Sequence, residues 1–329
     1  MERRALGQTG LTVSALGFGC GAVGGLMVRG MPSDQERAVA RAIDLGINFF
    51  DTAPAYGEGQ SEKNLGRVLK SLRPDVVVAT KFRVPPAPPA GAAGAVRASL
   101  ESSLGRLGLP RVDLLQLHNP IGSGPGGLAP AAVLEEVVPA LEGLKREGKI
   151  GFYGITAVGE TDALHRLVDE RRLDTAQVCC NLLNPSAAVA APAGFPAQDF
   201  RRLLDRTRAA GMGAIVIRVL AGGALSGAEE RHPLGIATVE PIASGPDYRA
   251  DVERGRTFDA LVHEGHAGSV IEASIRFALA NQAVSTVLVG TSTLEQFEFA
   301  AAAAERGPLP PPALDRLAAL WQGLAARAR

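Results

Sequence analysis

Eight short apolar runs, each followed by a stretch with helical spacing, constrain this chain more than any other feature. The runs lie at 15–20, 47–51, 76–81, 113–118, 150–156, 175–180, 213–218 and 285–290. Helical patterns follow at 34–45, 61–71, 94–107, 131–147, 160–171, 198–209, 268–280 and 293–305, and a last one covers 313–327. In 94–107, for example, Val96, Leu100, Leu104 and Leu107 share a face and Gly108 ends it. Strands this continuously apolar are buried on both sides, which requires a parallel sheet covered by helices. Eight such units in 329 residues predict an α/β fold of the (β/α)8 barrel type, read as one domain over 1–329. A hairpin over Leu6–Val13, turning at Gln8-Thr9-Gly10, precedes it. The alternative is an open doubly wound sheet, which needs a phosphate-binding first turn. Gly19, Gly21 and Gly24 fit G-x-G-x-x-G, but that fingerprint requires a helix to begin at the glycines. Here the helical pattern begins at Ser33, where Ser33 and Glu36 predict a capping box. The dinucleotide fingerprint therefore fails on context.

Composition narrows the function. Basic and acidic residues balance at 34 each without a long run of either sign, which excludes nucleic acid or an anionic membrane as the main partner. No apolar segment has the length of a signal-peptide core or a membrane span. Cys179 and Cys180 are neighbours on a predicted strand and point to opposite faces, so they do not pair. With Cys20 as the third cysteine, a reduced, cytoplasmic protein is expected. His263 and His266 are three apart, unlike H-E-x-x-H, so no metal site is expected.

In a barrel, residues at the C-terminal ends of the strands face one mouth. Those ends carry Asp51, Lys81 and His118, and Tyr56 lies on the loop after the second strand. A lone strand-end Lys is ordinarily a rim residue, and a lone His a core residue. Four titratable groups that the fold makes convergent mark an active site. Their chemistry divides naturally. A carbonyl oxygen gaining charge needs a proton donor, which Tyr56 supplies. A phenol near its usual pKa of about 10 exchanges protons poorly at neutral pH, so Lys81 is expected to lower it. Asp51 holds Lys81 in place and charged, and His118 donates to the carbonyl oxygen.

The spacing Asp51, Tyr56, Gly57, Gly59, Ser61, Glu62, Leu65, Gly66 resembles the signature of the aldo-keto reductase family. FFDTA, AYG, ATK and LQLH each match a member of that family's catalytic tetrad. The resemblance covers nearly the whole chain. It implies a barrel plugged by a hairpin, and a nicotinamide dinucleotide, NADP or NAD, lying extended across the mouth. It also implies hydride transfer to or from a small aldehyde, ketone or sugar hemiacetal, as in the aldose and galactose dehydrogenase-like branch, with Tyr56 as general acid/base. Few aromatic residues (three Tyr, one Trp) agree with a small substrate. Carried onto this chain, the cofactor contacts are Gly19, Cys20, Gly21 and Asp51 at the early strand ends, with Thr156 and Gln177 toward the carboxamide. They continue through Ile217, Arg218, Leu220 and Gly222 after the seventh strand. Gly290, Thr291, Ser292 and Gln296 complete them at the adenine end.

Two departures stand out. Ala157 replaces the amide of the family's Ser-Asn pair. Ile217-Arg218-Val219-Leu220 replaces Y-S-P-L, so the stacking aromatic is missing and Arg218 is expected to meet the pyrophosphate. No Lys or Arg lies between Val289 and Ala304, whereas Glu295 and Glu298 do. A 2′-phosphate calls for a cation, so NAD(H) is expected to serve at least as well as NADP(H), with Arg306 the nearest cation beyond. Loops over 82–94, 119–130 and 184–196 are expected to rim the mouth. An irregular segment from Gly223 to about Val262 covers it; its His232, Tyr248 and Arg249 are candidates to line a pocket, with solvent-exposed loop residues the preferred reading. Trp321 is expected to pack the last helix, and the alanine run 300–304 to be helix surface. Two rival functions share the fold: a nucleotide-binding regulatory protein with little turnover, and a lyase or isomerase using Lys81 as a Schiff-base amine.

Overall fold

The computed structural model describes residues 1–86, 88 and 91–328. Eight parallel strands close into a barrel in the order β10-β3-β4-β5-β6-β7-β8-β9. They are β3 (Leu16–Gly19), β4 (Phe49–Asp51), β5 (Val77–Phe82), β6 (Val112–Leu117), β7 (Ile150–Ala157), β8 (Thr175–Cys179), β9 (Gly213–Ile217) and β10 (Val284–Gly290). A hairpin of β1 (Arg3–Ala5) and β2 (Thr12–Ser14) precedes them. It begins earlier than expected, since Arg3 pairs with Ser14. It plugs the barrel floor: Leu6 and Val13 pack with Phe49, Val77, Leu114, Ile215 and Leu288 in the barrel interior. A Cβ on Gly7 (φ +55°) would stand 2.2 Å from the backbone nitrogen of Gly213, so glycine there lets the plug touch β9.

The helices are α1 (Leu26–Arg29), α2 (Pro32–Asp44), α3 (Gln60–Leu72), α4 (Gly91–Leu107), α5 (Pro130–Ala132), α6 (Val138–Arg146) and α7 (Thr161–Asp169), then α8 (Leu203–Ala209), α9 (Tyr248–Gly255), α10 (Asp259–His263), α11 (Val270–Ala280), α12 (Leu294–Glu305) and α13 (Pro311–Arg327). Their apolar faces bury the main core against the outside of the barrel. Trp321 packs edge-on against Phe277 and donates to the Leu182 carbonyl at 2.9 Å. No helix among the described residues is long and apolar enough to cross a membrane.

Several boundaries differ from the sequence expectation for local reasons. α2 starts at Pro32, with Met31 as its cap and no side-chain bond there, so the Ser33–Glu36 capping box does not form. Proline at the first position presets the helix and needs no donor. The stretch 131–147 is interrupted by π-helix over Val133–Val137, where the Val138 N–H reaches the Val133 carbonyl. Pro139, which lacks an N–H, follows at once. The helix expected over 198–209 starts only at Leu203. Arg201 and Arg202 have positive φ, and the Gln198 carbonyl and Phe200 N–H are taken by Asn184 and Ser186 side chains. The segment after Gly223 is not irregular throughout, since α9, a 3-10 turn at Arg256–Phe258 and α10 fill its second half. The loop expected over 82–94 ends at Gly91, where α4 begins; its Ala87, Pro89 and Ala90 lie outside the described residues. The alanine run is buried apart from Ala302.

Candidate active site

β4 and β5 are paired with Asp51 beside Ala79, and β5 and β6 with Lys81 beside Gln116. Alternation then turns Asp51 and Lys81 inward at the barrel mouth. Both are buried, Lys81 at 1 % and Asp51 at 4 % exposure. Lys81 Nζ donates to Asp51 Oδ2, to the Thr52 carbonyl at 2.9 Å and to the Tyr56 hydroxyl at 3.0 Å. His118, one residue beyond β6, faces Tyr56 edge-on at 6.3 Å between ring centroids. The four residues singled out from strand ends are thus brought together. A second line of bonds continues across the mouth: Gln177 Nε2 donates to Asp51 Oδ1 at 2.6 Å, and Thr156 Oγ1 donates to Gln177 Oε1 at 3.2 Å.

The signature residues around the site are fasteners. Ser61 bonds the Cys20 carbonyl and the Thr52 hydroxyl, at 2.8 Å each. Glu62, fully buried, accepts from Thr80 Oγ1 and Arg106 Nε at 2.6 Å each. A Cβ on Gly66 would stand 2.2 Å from the Leu107 carbonyl oxygen, so α3 and α4 touch there only because residue 66 has no side chain. These contacts hold the loop bearing Tyr56 against β3, β4 and β5.

Electrostatics set the protonation states. Burial pulls the Lys81 ammonium down, but Asp51 and Tyr56 carry it up to about 12, so it keeps its proton at neutral pH. Burial raises the Asp51 carboxyl against the pull of Lys81 and Gln177. Burial also raises the Tyr56 phenol, and Lys81 and Arg218 only partly offset it. Lys81 does pull the phenol down as expected, but desolvation is the larger influence, and the phenol stays protonated. His118 is pushed down to about 3 by burial, then by Lys81 and Arg83, which leaves a neutral imidazole. A charged Lys81 is a poor Schiff-base nucleophile, which removes the support for the lyase reading.

Beside these groups lies a cavity of about 790 Å³, within the range of small-molecule clefts. It runs between the turn after β9 and the start of α12. Of the residues expected to hold a dinucleotide, Arg218, Leu220, Gly222, Gly290, Thr291, Ser292 and Gln296 line it. Gly19, Thr156, Gln177 and Ile217 stand outside it on the strands around Asp51 and Lys81, and Cys20 and Gly21 just after β3. Cys20 packs with the outer core, its N–H bonded to the Asp51 carbonyl at 2.8 Å, and Ala157 lies in that core too. Sequence reasoning missed Val23, Arg231 and Phe299, which line the cavity together with Gly24, Tyr248 and the exposed His232. Arg231 bonds the carbonyls of Ile236, Gly222 and Val23 at 2.7, 2.9 and 2.8 Å, and lies 5.1 Å from the Tyr248 ring centroid. Arg29 bonds the Leu234 carbonyl at 2.7 Å. The segment around 231–236 is thereby strapped across the cleft. The only advance signal was an arginine in a loop too long for a plain connection.

The residues present fit an extended dinucleotide. A Cβ on Gly223 (φ +108°) would stand 3.4 Å from both Arg231 and Tyr248, so glycine keeps the middle of the cleft clear. A strand-end constellation of this kind on a closed (β/α)8 barrel, with Arg218 of the cleft wall near enough to act on Tyr56, defines an oxidoreductase of the barrel class. The chain belongs to the Aldo/keto reductase family, whose model matches residues 15–322. It is 34% identical over 304 residues to an L-galactose dehydrogenase from Arabidopsis thaliana, spanning 91% of this chain and 86% of that protein. It is 28% identical to a pyridoxal 4-dehydrogenase from Microbacterium luteolum, across 90% of each. The holo form of an aldo-keto reductase from Bacillus halodurans superposes with a TM-score of 0.70 at 24% identity, covering 98% of this chain and 96% of that one.

Proposed function

We propose that this enzyme moves a hydride between NAD(H) or NADP(H) and a small aldehyde, ketone or sugar hemiacetal, with Tyr56 as the general acid/base. The observation that carries this is Lys81 Nζ, 3.0 Å from the Tyr56 hydroxyl and ion-paired to Asp51 inside the barrel. The nicotinamide cofactor, when bound, supplies the hydride. Tyr56 hands its proton to the substrate oxygen in reduction, and the ammonium of Lys81 stabilises the phenolate left behind. Neutral His118 donates a hydrogen bond to the same oxygen and orients it. Asp51, held by Gln177, fixes Lys81. Thr156 and Gln177 would stand at the nicotinamide end, Arg218, Gly222 and Gly223 at the pyrophosphate, and Ser292, Glu295 and Gln296 at the adenosine. The relatives named for L-galactose and pyridoxal support a sugar or a small carbonyl compound as substrate. The cysteines Cys20, Cys179 and Cys180, all buried and free, support a reducing, cytoplasmic setting.

NAD(H) is favoured at the adenosine end. α12 contributes Glu295 and Gln296 to the cavity wall and no cation. Arg231 is committed to three carbonyls, and Arg306 is paired with Glu272 at 3.3 Å, away from the cleft. Titration with NADH and NADPH in turn, followed by cofactor fluorescence, tests the assignment. Tighter NADH binding, with turnover lost and binding kept in Tyr56→Phe, is the expected result. Binding of neither form, or undiminished turnover in Tyr56→Phe, would overturn it.

A further inference from the structure

Two large apolar side chains are exposed among the described residues, Met31 at 66% and Phe299 at 48%. Met31 caps α2 away from the cleft, whereas Phe299 lines it. On α12, Glu295 and Phe299 are four apart, as are Gln296 and Ala300, so the four form one wall of the cavity. Ala300 is buried and short, whereas Phe299 beside it is about half exposed. The Glu295 carboxyl is held below its usual range by its own backbone N–H and Thr293 at the helix start, so it is ionised and accepts hydrogen bonds.

An occupant matching this wall needs a flat, polarisable face beside Phe299 and hydroxyl donors near Glu295. A lipid chain offers no donors, and a free sugar offers donors but no flat π face. A purine nucleoside offers both. We propose that Phe299 is the stacking platform for the adenine base, so that this chain grips the adenosine half through an aromatic ring and a carboxylate. The assignment rests on the dinucleotide reading above and adds to it the residue that separates a dinucleotide from a nicotinamide mononucleotide. Base–aromatic stacking is sequence-tolerant, since every base has a π face.

The test is a fluorescence titration of NADH and of reduced nicotinamide mononucleotide, which lacks the adenosine, with ADP-ribose as competitor. Phe299→Ala is expected to weaken NADH and ADP-ribose about 10-fold and to leave the mononucleotide unchanged. Phe299→Trp, which keeps a ring on an exposed helix face, is expected to retain NADH binding. Unchanged NADH affinity in Phe299→Ala, or equal weakening of NADH and the mononucleotide, would overturn the stacking role alone. Failure of the wild-type protein to bind either compound would overturn the dinucleotide reading, and the stacking role with it.

Discussion

Replacing Lys81 by Met separates the two jobs the structure gives this ammonium. Toward Tyr56 it acts at 3.0 Å, where a full phenolate charge would gain about 5.5 kcal/mol at an effective dielectric of about 20. With roughly half of that charge developed in the transition state, about 2.8 kcal/mol is lost, or about 100-fold in turnover. Toward Asp51 the loss is structural: a buried carboxyl without its cation costs about 3–5 kcal/mol, less whatever it recovers by taking up a proton. The double variant Lys81→Met/Asp51→Asn removes the stranded charge, and the Gln177 amide can still donate to the new side-chain oxygen. It should therefore regain most of the melting temperature and none of the turnover. The assay is NAD(P)H oxidation with a small aldehyde at saturating cofactor, beside thermal melts of all three proteins. Turnover of Lys81→Met within about fivefold of wild type, or recovery of activity together with stability in the double variant, would refute the electrostatic role.

Because His118 is held near 3, its imidazole is neutral across the usual assay range. The pH profile of kcat/KM between about 5 and 8 should carry no histidine inflection, while His118→Gln should lower turnover about 100-fold. A wild-type inflection near pH 6.5 that disappears in His118→Gln would contradict this. Arg231→Ala removes three carbonyl contacts across the cleft, each worth about 1 kcal/mol, so cofactor release in stopped flow should accelerate about 10-fold or more. Unaltered release would mean the strap does not gate the cleft. Gln116 is fully buried, and neither atom of its amide has a partner among the described residues. Gln116→Leu is expected to raise stability by about 1 kcal/mol, and a clear fall in the denaturation midpoint would show a hidden partner. Gly66→Ala forces a methyl against the Leu107 carbonyl and should cost about 1–3 kcal/mol with kcat unchanged once folded; an unperturbed melting curve would remove the close-approach argument.

The helix-covered parallel sheet was legible because its strands are apolar on both faces, a pattern a half-solvated sheet does not produce, and the barrel because eight such units came without the phosphate-binding first turn of an open doubly wound sheet. Asp51, Lys81 and His118 were legible for the complementary reason: each is a polar residue at the tip of an apolar strand, and closure of the barrel alone makes such tips converge. What the strand ends did not reveal lies on the loops. The role of Arg231 depends on carbonyls at residues 23, 222 and 236, distant in sequence and without a side-chain signature. Phe299 looked like one more apolar position on a helix until the cavity beside it was known. The net raising of Tyr56 was hidden because residue type gives the sign of each neighbour's effect but not the depth of burial, and here burial is the larger influence. The same reasoning recasts the signature itself. Among its residues only Asp51 and Tyr56 touch the Lys81 ammonium, while Ser61, Glu62 and Gly66 bind the active loop to three strands and a helix. A motif read for chemistry is here mostly a mounting.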